Sequence, residues 1–152
     1  MIIDLLTNGA LLTSAIAWAI AQIAKTIIVL IKARSFQPRY LFTSGGMPSA
    51  HSAAVSALTT YVAFNNGTGS VIFAVSVVFA LIVMYDATDV RQSVGQQAVI
   101  INRIVDEIKL GRPMVEMTGD LRELIGHTPF QVFTGAAIGI FVSAVWLLIE
   151  RI

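Results

Sequence analysis

Residues 43–56 read TSGGMPSAHSAAVS. Two glycines, a proline and small hydroxyl residues lead into a histidine and then an apolar run, which describes a tight backbone turn feeding the first turn of a helix. Gly45 and Gly46 permit backbone conformations that a side chain forbids, and Pro48 suits a first helical position because its missing N–H has no helical partner there anyway. The N–H groups at such a helix start, backed by the helix dipole, attract an anion, and phosphate has enough acceptor oxygens to fill the nest. His51 and the hydroxyls of Ser49 and Ser52 then lie within one turn of that anion. The same composition also suits an ordinary loop-to-helix junction. The anion reading gains weight because one of the two histidines in the chain sits in this turn, amid otherwise apolar surroundings.

Outward from that turn, the chain is strongly apolar. Its 152 residues suit one domain, 1–152, and 56% hydrophobic against 12% charged residues, with a mean hydropathy of +0.79, is the composition of a membrane protein. Cysteine is absent, which excludes disulfides and thiolate metal sites. A net charge of +1 leaves no basic excess to meet a nucleic-acid backbone, so no nucleic acid is expected as a partner. The first apolar run has no basic segment before it and no small-residue cleavage site, and is expected to be a permanent span rather than a signal.

That run, 10–31, has about the twenty residues needed to cross a bilayer core. Ser14, Trp18, Gln22, Lys25 and Lys32 fall at helical spacing along it and are expected on one protein-facing side. Lys25 has two readings: it snorkels to the interface, or it points inward at an anion, because an ionisable group in the membrane is costly without a partner. Residues 33–42 form a basic-aromatic connection carrying Arg34 and Arg39. The helix after the glycine turn, 50–64, is short for a crossing and is expected to start below the surface at the end of a re-entrant loop, where only protein or water can cover irregular backbone.

An uncharged turn at 65–69 precedes another apolar span, 70–85. Asp86 and Asp89, three apart, share a helix face. Arg91 then lies elsewhere, so either the helix bends near Asp89 or the charges serve different roles. Apolar residues at 90, 94, 101, 104, 105 and 108 alternate with polar ones in the pattern of an amphipathic helix, lying at the interface or packed on the bundle. Gly111 ends it. Asp120 and Glu123 form a capping box for a brief helix closed by Gly126, and Thr128 with Pro129 opens the last span, 130–149, with His127 pinched between. The fold expected is an all-α polytopic bundle of about four spans, with a re-entrant loop and an amphipathic interfacial helix.

In that arrangement nine of the ten basic residues fall on one side and Arg151 alone on the other. The positive-inside tendency makes the crowded side cytoplasmic and puts both termini outside, although basic residues gathered around a phosphate produce the same asymmetry. Both histidines and both mid-chain aspartates collect there too, converging from distant parts of the chain as a site requires.

The strings SGGMPSAHSA, MYDATDVRQSVGQQAVIIN and ELIGHTPFQVFTG resemble the divergent branch of the phosphatidic acid phosphatase superfamily, also labelled acid phosphatase/vanadium-dependent haloperoxidase-related. The resemblance covers nearly the whole chain. It implies a helical membrane phosphatase acting on lipid phosphates or diphosphates without a metal. Pro48, Ser49 and His51 match the superfamily's Pro-Ser-X-His motif, which supplies an acid, with Ala50 where glycine is usual. Lys25 and Arg39 resemble the lysine and arginine of another motif at altered spacing. Arg91 resembles the arginine of a third, preceded by Val90 rather than serine. Six residues beyond Arg91, where that motif carries its nucleophilic histidine, stands Gln97. A glutamine cannot form a phosphoenzyme, so His127 enters as nucleophile, or water attacks, or nothing is hydrolysed.

The leading expectation is a phosphoric monoester or diphosphate hydrolase with His51 as acid and His127 as nucleophile. Lys25, Arg91 and the glycine-turn amides stabilise the equatorial oxygens, and Asp86 or Asp89 orients an imidazole. His127 as a plain cap, and the aspartates as partners of Arg91 and Lys25, are the competing structural readings. Two functional alternatives accompany it: a non-catalytic lipid-phosphate binding or transport protein, and a magnesium enzyme using Asp86 and Asp89. No cofactor is otherwise expected, and the expected partners are a lipid phosphate, membrane lipids and, in a homodimer, a second copy.

Overall fold

A computed structural model describes residues 2–33, 46–109 and 127–151, excepting the side chains at 2, 5, 32, 33, 91, 92, 103 and 105–109. All regular structure among them is helical. In order come α1 (Ile2–Leu6), α2 (Gly9–Ala33), α3 (Ala50–Asn66), α4 (Val71–Tyr85), a π-helical segment (Asp86–Val90), α5 (Arg91–Lys109) and α6 (Pro129–Glu150). The brief helix expected between Asp120 and Gly126, and Gly111 as a helix end, lie outside the described residues.

Local chemistry sets the starts. The Asn8 side chain accepts the Leu11 N–H before α2, Ser70 accepts from Phe73 before α4, and Thr128 with Gln131 makes a reciprocal capping box before α6, with Pro129 just inside. Each satisfies an N–H that the helix itself leaves over. Gly67, at φ +79°, ends α3 and donates its N–H to the Ala63 carbonyl.

Among the described residues three stretches are long and apolar enough to cross a membrane: Gly9–Ile31, Val71–Asn102 and Pro129–Glu150. The middle one is a single run, because α4 passes through the π segment into α5 without a break. At 1.5 Å per residue its 32 residues reach about 48 Å, well beyond a bilayer core of about 30 Å.

α3 sits at the centre, against α2, α4 and α6. Ala17 and Ala21 of α2 meet Ala50, Ala53 and Ala57 of α3 in the core, flanked by Ile138 and Val142 of α6. On α6, Gly135 lies against the Ser49 carbonyl and Gly139 against the Ala53 carbonyl, so closely that a Cβ at either position would collide with backbone. Small residues four apart let two backbones approach, which favours helix pairing where lipid removes the hydrophobic drive.

The protein-facing stripe of α2 differs from the expected one. Thr13, Ala17, Ala21 and Lys25 are buried, whereas Trp18 is exposed and Ser14 and Gln22 are half-buried. Close approach to α3 selects the smallest side chains, and the bulky indole is turned out.

Candidate functional site

The two ends of the bundle are chemically different. At one end Gly9 packs against Tyr61, whose hydroxyl donates to Glu150 at 3.3 Å. At the other end the glycine turn, the π segment and the start of α6 come together.

Backbone hydrogen bonds make that junction. The Ser49 N–H donates to the Gln131 carbonyl at 3.0 Å, and the His127 N–H donates to the Ala87 carbonyl at 2.9 Å. The first ties the turn to α6, and the second ties the π segment to the residue just before α6. Three sequence-distant pieces are thereby fixed to one another through main-chain groups.

Gly46 adopts φ +84°, the left-handed conformation expected of the turn. Lys25 lies beneath it: a Cβ on Gly46 would come 3.6 Å from the Lys25 Cγ. Lys25 is only 3% exposed, so its stem is buried in protein at the turn rather than laid along the outer surface.

Ser49 and Ser52 are fully buried. The Ser49 Oγ accepts the Ser52 N–H at 3.3 Å and the Ser52 hydroxyl at 2.9 Å. Ser49 is therefore the N-cap of α3, and the helix begins at Ala50. Pro48 precedes the cap instead of occupying the first helical position, because the hydroxyl of Ser49 can satisfy the N–H three residues further on only if Ser49 itself stays outside the helix. One of the donors read as open to an anion is thus already taken by the cap.

The two histidines differ. His51, on the first turn of α3, is exposed, whereas His127 is 3% exposed. The Ser49–Gln131 bond places their two segments side by side. Arg39 and Gly45 lie outside the described residues, and of Arg91 only the backbone, opening α5, is described.

The aspartates also part company. Asp86 is half-buried, and Asp89 is exposed and accepts from the Tyr85 hydroxyl at 2.8 Å. Their shared face required an α-helix, and the π segment spoils it: bonding i to i+5 widens the turn, so residues three apart no longer stack. Among the described residues no group of three His, Cys, Asp or Glu is placed to hold a metal ion. Gln97, at the position of the expected histidine, is exposed on α5.

A groove of about 740 Å³ runs between the end of α4, the π segment and the start of α6, walled largely by apolar side chains, with Asp86 and Thr88 of the π segment among them. Sequence reasoning did not single out Ala87, Gln131, Gly135 or Gly139. The first two act through carbonyls, for which no residue type is a signal. The two glycines had one, the spacing Gly135-x-x-x-Gly139-x-x-x-Ser143.

Residues 6–142 match the family described as the Divergent PAP2 family. The membrane protein YuiD of Bacillus subtilis (strain 168) is 44% identical over 151 residues, covering 93% of this chain and 96% of its own length. No solved structure matches the chain. With three membrane-length apolar helices and a membrane protein as a full-length relative, the chain is an integral membrane protein, and it belongs to the Divergent PAP2 family.

Proposed function

We propose that the protein is an integral membrane phosphatase that hydrolyses a lipid-linked phosphate or diphosphate. The observation that carries this reading is the buried Lys25 beneath the Gly46 turn, at the end of the bundle where His127 is joined to the π segment. A buried cation beneath a glycine turn is a setting for an anion, because the low-dielectric surroundings strengthen each contact.

In the reaction proposed, a nitrogen of His127 attacks phosphorus and the bond from phosphorus to the lipid oxygen breaks. His51 gives its proton to that departing oxygen. Water then attacks the phosphohistidine with His51 as base, releasing inorganic phosphate and restoring both imidazoles. Lys25, Arg39, Arg91 and the amides around Gly45 and Gly46 hold the equatorial oxygens, with Ser49 and Ser52 shaping the turn. Asp86 or Asp89 orients an imidazole. The site faces the cytoplasm with both termini outside, α3 is the short one of about four spans and starts at the end of a re-entrant loop, and two copies associate.

Purified protein in detergent should release phosphate from a polyprenyl or glycerolipid phosphate and be inhibited by vanadate. His51→Ala and His127→Ala should each lower kcat at least about 100-fold, the usual worth of a positioned proton or nucleophile. Turnover surviving His51→Ala removes this mechanism.

Gln97 favours a second reading, a lipid-phosphate binding or transport protein without catalysis, since the position that carries the nucleophile in the superfamily cannot carry it here. Saturable binding of lipid phosphate with no phosphate released from any substrate selects it. Activity lost in excess chelator and restored by magnesium would instead assign Asp86 and Asp89 to a metal.

A further inference from the structure

The π segment Asp86–Val90 interrupts a run that is otherwise α-helical from Val71 to Lys109. In an unbroken α-helix the Ala87 carbonyl is taken by the N–H of Arg91, four residues on. Where bonding widens to i+5 and then narrows again, the donors slip by one residue and a carbonyl is passed over. Here the carbonyl that reaches outside the helix is that of Ala87, and it accepts the His127 N–H at 2.9 Å. Ala87 is 4% exposed and His127 3%, so the bond lies within protein, where a main-chain group lacking a partner is costly.

Side chains of the same segment hold the wide turn. The Thr88 hydroxyl is shared between the carbonyls of Met84 and Tyr85, 3.1 Å from each. A hydroxyl that bonds carbonyls three and four residues back competes with the helical ladder and bends it. On the outer side the Tyr85 hydroxyl donates to Asp89 at 2.8 Å, but Asp89 is exposed whereas Thr88 is half-buried, so the Thr88 bonds are the better protected. Four residues beyond His127, the Gln131 carbonyl accepts the Ser49 N–H at 3.0 Å. The entry to α6 is thus gripped twice, at 127 by the long helix and at 131 by the turn that carries His51.

We infer that the π segment is a positioning device for His127: its wide turn frees the main-chain acceptor that fixes this residue, and Thr88 is the side chain that maintains the turn. A plain α-helix would spend the Ala87 carbonyl on its own ladder and release the entry to α6. Displacement of a reacting group by roughly 1 Å can cost about 100-fold in rate. Thr88 acts through Ala87 and is a positioning residue. What the fixed imidazole is used for rests on the hydrolase reading above, whereas the fixing itself can be measured without turnover.

Full-length protein in phosphatidylcholine nanodiscs provides the test, with Thr88→Val removing the hydroxyl at nearly constant volume and Thr88→Ser keeping it. Amide hydrogen exchange at His127, followed by NMR, should be slowed at least about 100-fold below the unstructured rate in the wild type and in Thr88→Ser, and should quicken at least about ten-fold in Thr88→Val while amides in the middle of α3 keep their rates. In a lipid-phosphate hydrolysis assay Thr88→Val should lower kcat about ten-fold with KM within about two-fold, and Thr88→Ser should restore it. An unprotected His127 amide in the wild type overturns the inference even if Thr88→Val does not fold. So do exchange unchanged by Thr88→Val, an equal quickening throughout α3, and a kcat that stays at the wild-type value while the His127 amide is released. A protected His127 amide that Thr88→Val releases, with no phosphate freed from any substrate, sinks the hydrolase and leaves the positioning assigned. Phosphate release with an unprotected amide does the reverse.

Discussion

α3 and α4 run side by side in opposite directions and are built by opposite rules. α4 is fifteen residues of almost unbroken Val, Ile, Phe and Leu, yet only Ser76 and Ala80 are buried in it. α3 carries alanine, serine and threonine, at 17 residues falls short of a bilayer core, and buries Ala50, Ser52, Ala53, Val55, Ser56, Ala57 and Val62. Hydrophobicity and burial are therefore inverted between them. In water the greasy helix belongs inside, but lipid tails are as apolar as leucine, so nothing drives α4 inward. What goes to the centre is the helix whose small side chains allow close backbone contact and whose hydroxyls need partners. A hydroxyl of Thr59 illustrates this by bonding the Val55 carbonyl of its own helix at 2.8 Å and the Ser76 carbonyl of α4 at 3.2 Å.

The contrast makes quantitative claims, and the largest concerns the α3–α6 seam. Gly139→Leu forces a side chain into the Ala53 backbone and should cost about 3 kcal/mol, the upper part of the range for overpacking, read as a loss of folded protein in detergent-unfolding titrations. Ala137→Leu, on the exposed side of the same helix, serves as its control. A tolerated leucine at 139 would break the close-packing account.

Ser49→Ala removes the cap of α3 and the partner of the buried Ser52 hydroxyl together. About 1–2 kcal/mol is expected, combining a lost cap with an unsatisfied buried group, and Ser49→Thr should recover part of it. Thr128→Ala breaks only the capping box of α6, whose first turn is exposed. About 1 kcal/mol is expected there, measured as a lower midpoint in the same titration. The smallest effect belongs to α4. Ala74→Leu, on its outer face, should stay within about 0.5 kcal/mol of wild type; a larger loss would mean that another protein surface covers this face in the membrane.

The boundaries of the helices were readable because they depend on local chemistry. Ser70, Thr128 and Pro129 act within one turn of backbone, and the expected segments 70–85 and 130–149 fall on α4 and α6 with small shifts. Gly46 was readable for the same reason, since a positive φ costs glycine little. The faces were harder. Polar spacing points to Ser14, Trp18, Gln22 and Lys25 as the inner side of α2, yet Lys25 alone of these is buried, because the face that meets α3 is the four-residue stripe Thr13, Ala17, Ala21 and Lys25, which is mostly small and which polarity does not mark. Asp86 and Asp89 were paired by an assumption of α-helical spacing that the π segment does not obey.

Composition and local pattern determined by themselves that this chain is helical and membrane-embedded, where most of its helices start and stop, and that a glycine turn carries His51 into one of them. Those properties depend on hydropathy, caps and backbone freedom, each legible within a few residues. Tertiary structure decided that α3 lies at the centre, that Lys25 runs beneath Gly46, and that the Ala87 and Gln131 carbonyls join the π segment, His127 and Ser49 at one end of the bundle. Such contacts depend on how closely two backbones approach, and main-chain groups that make them are the same in every residue.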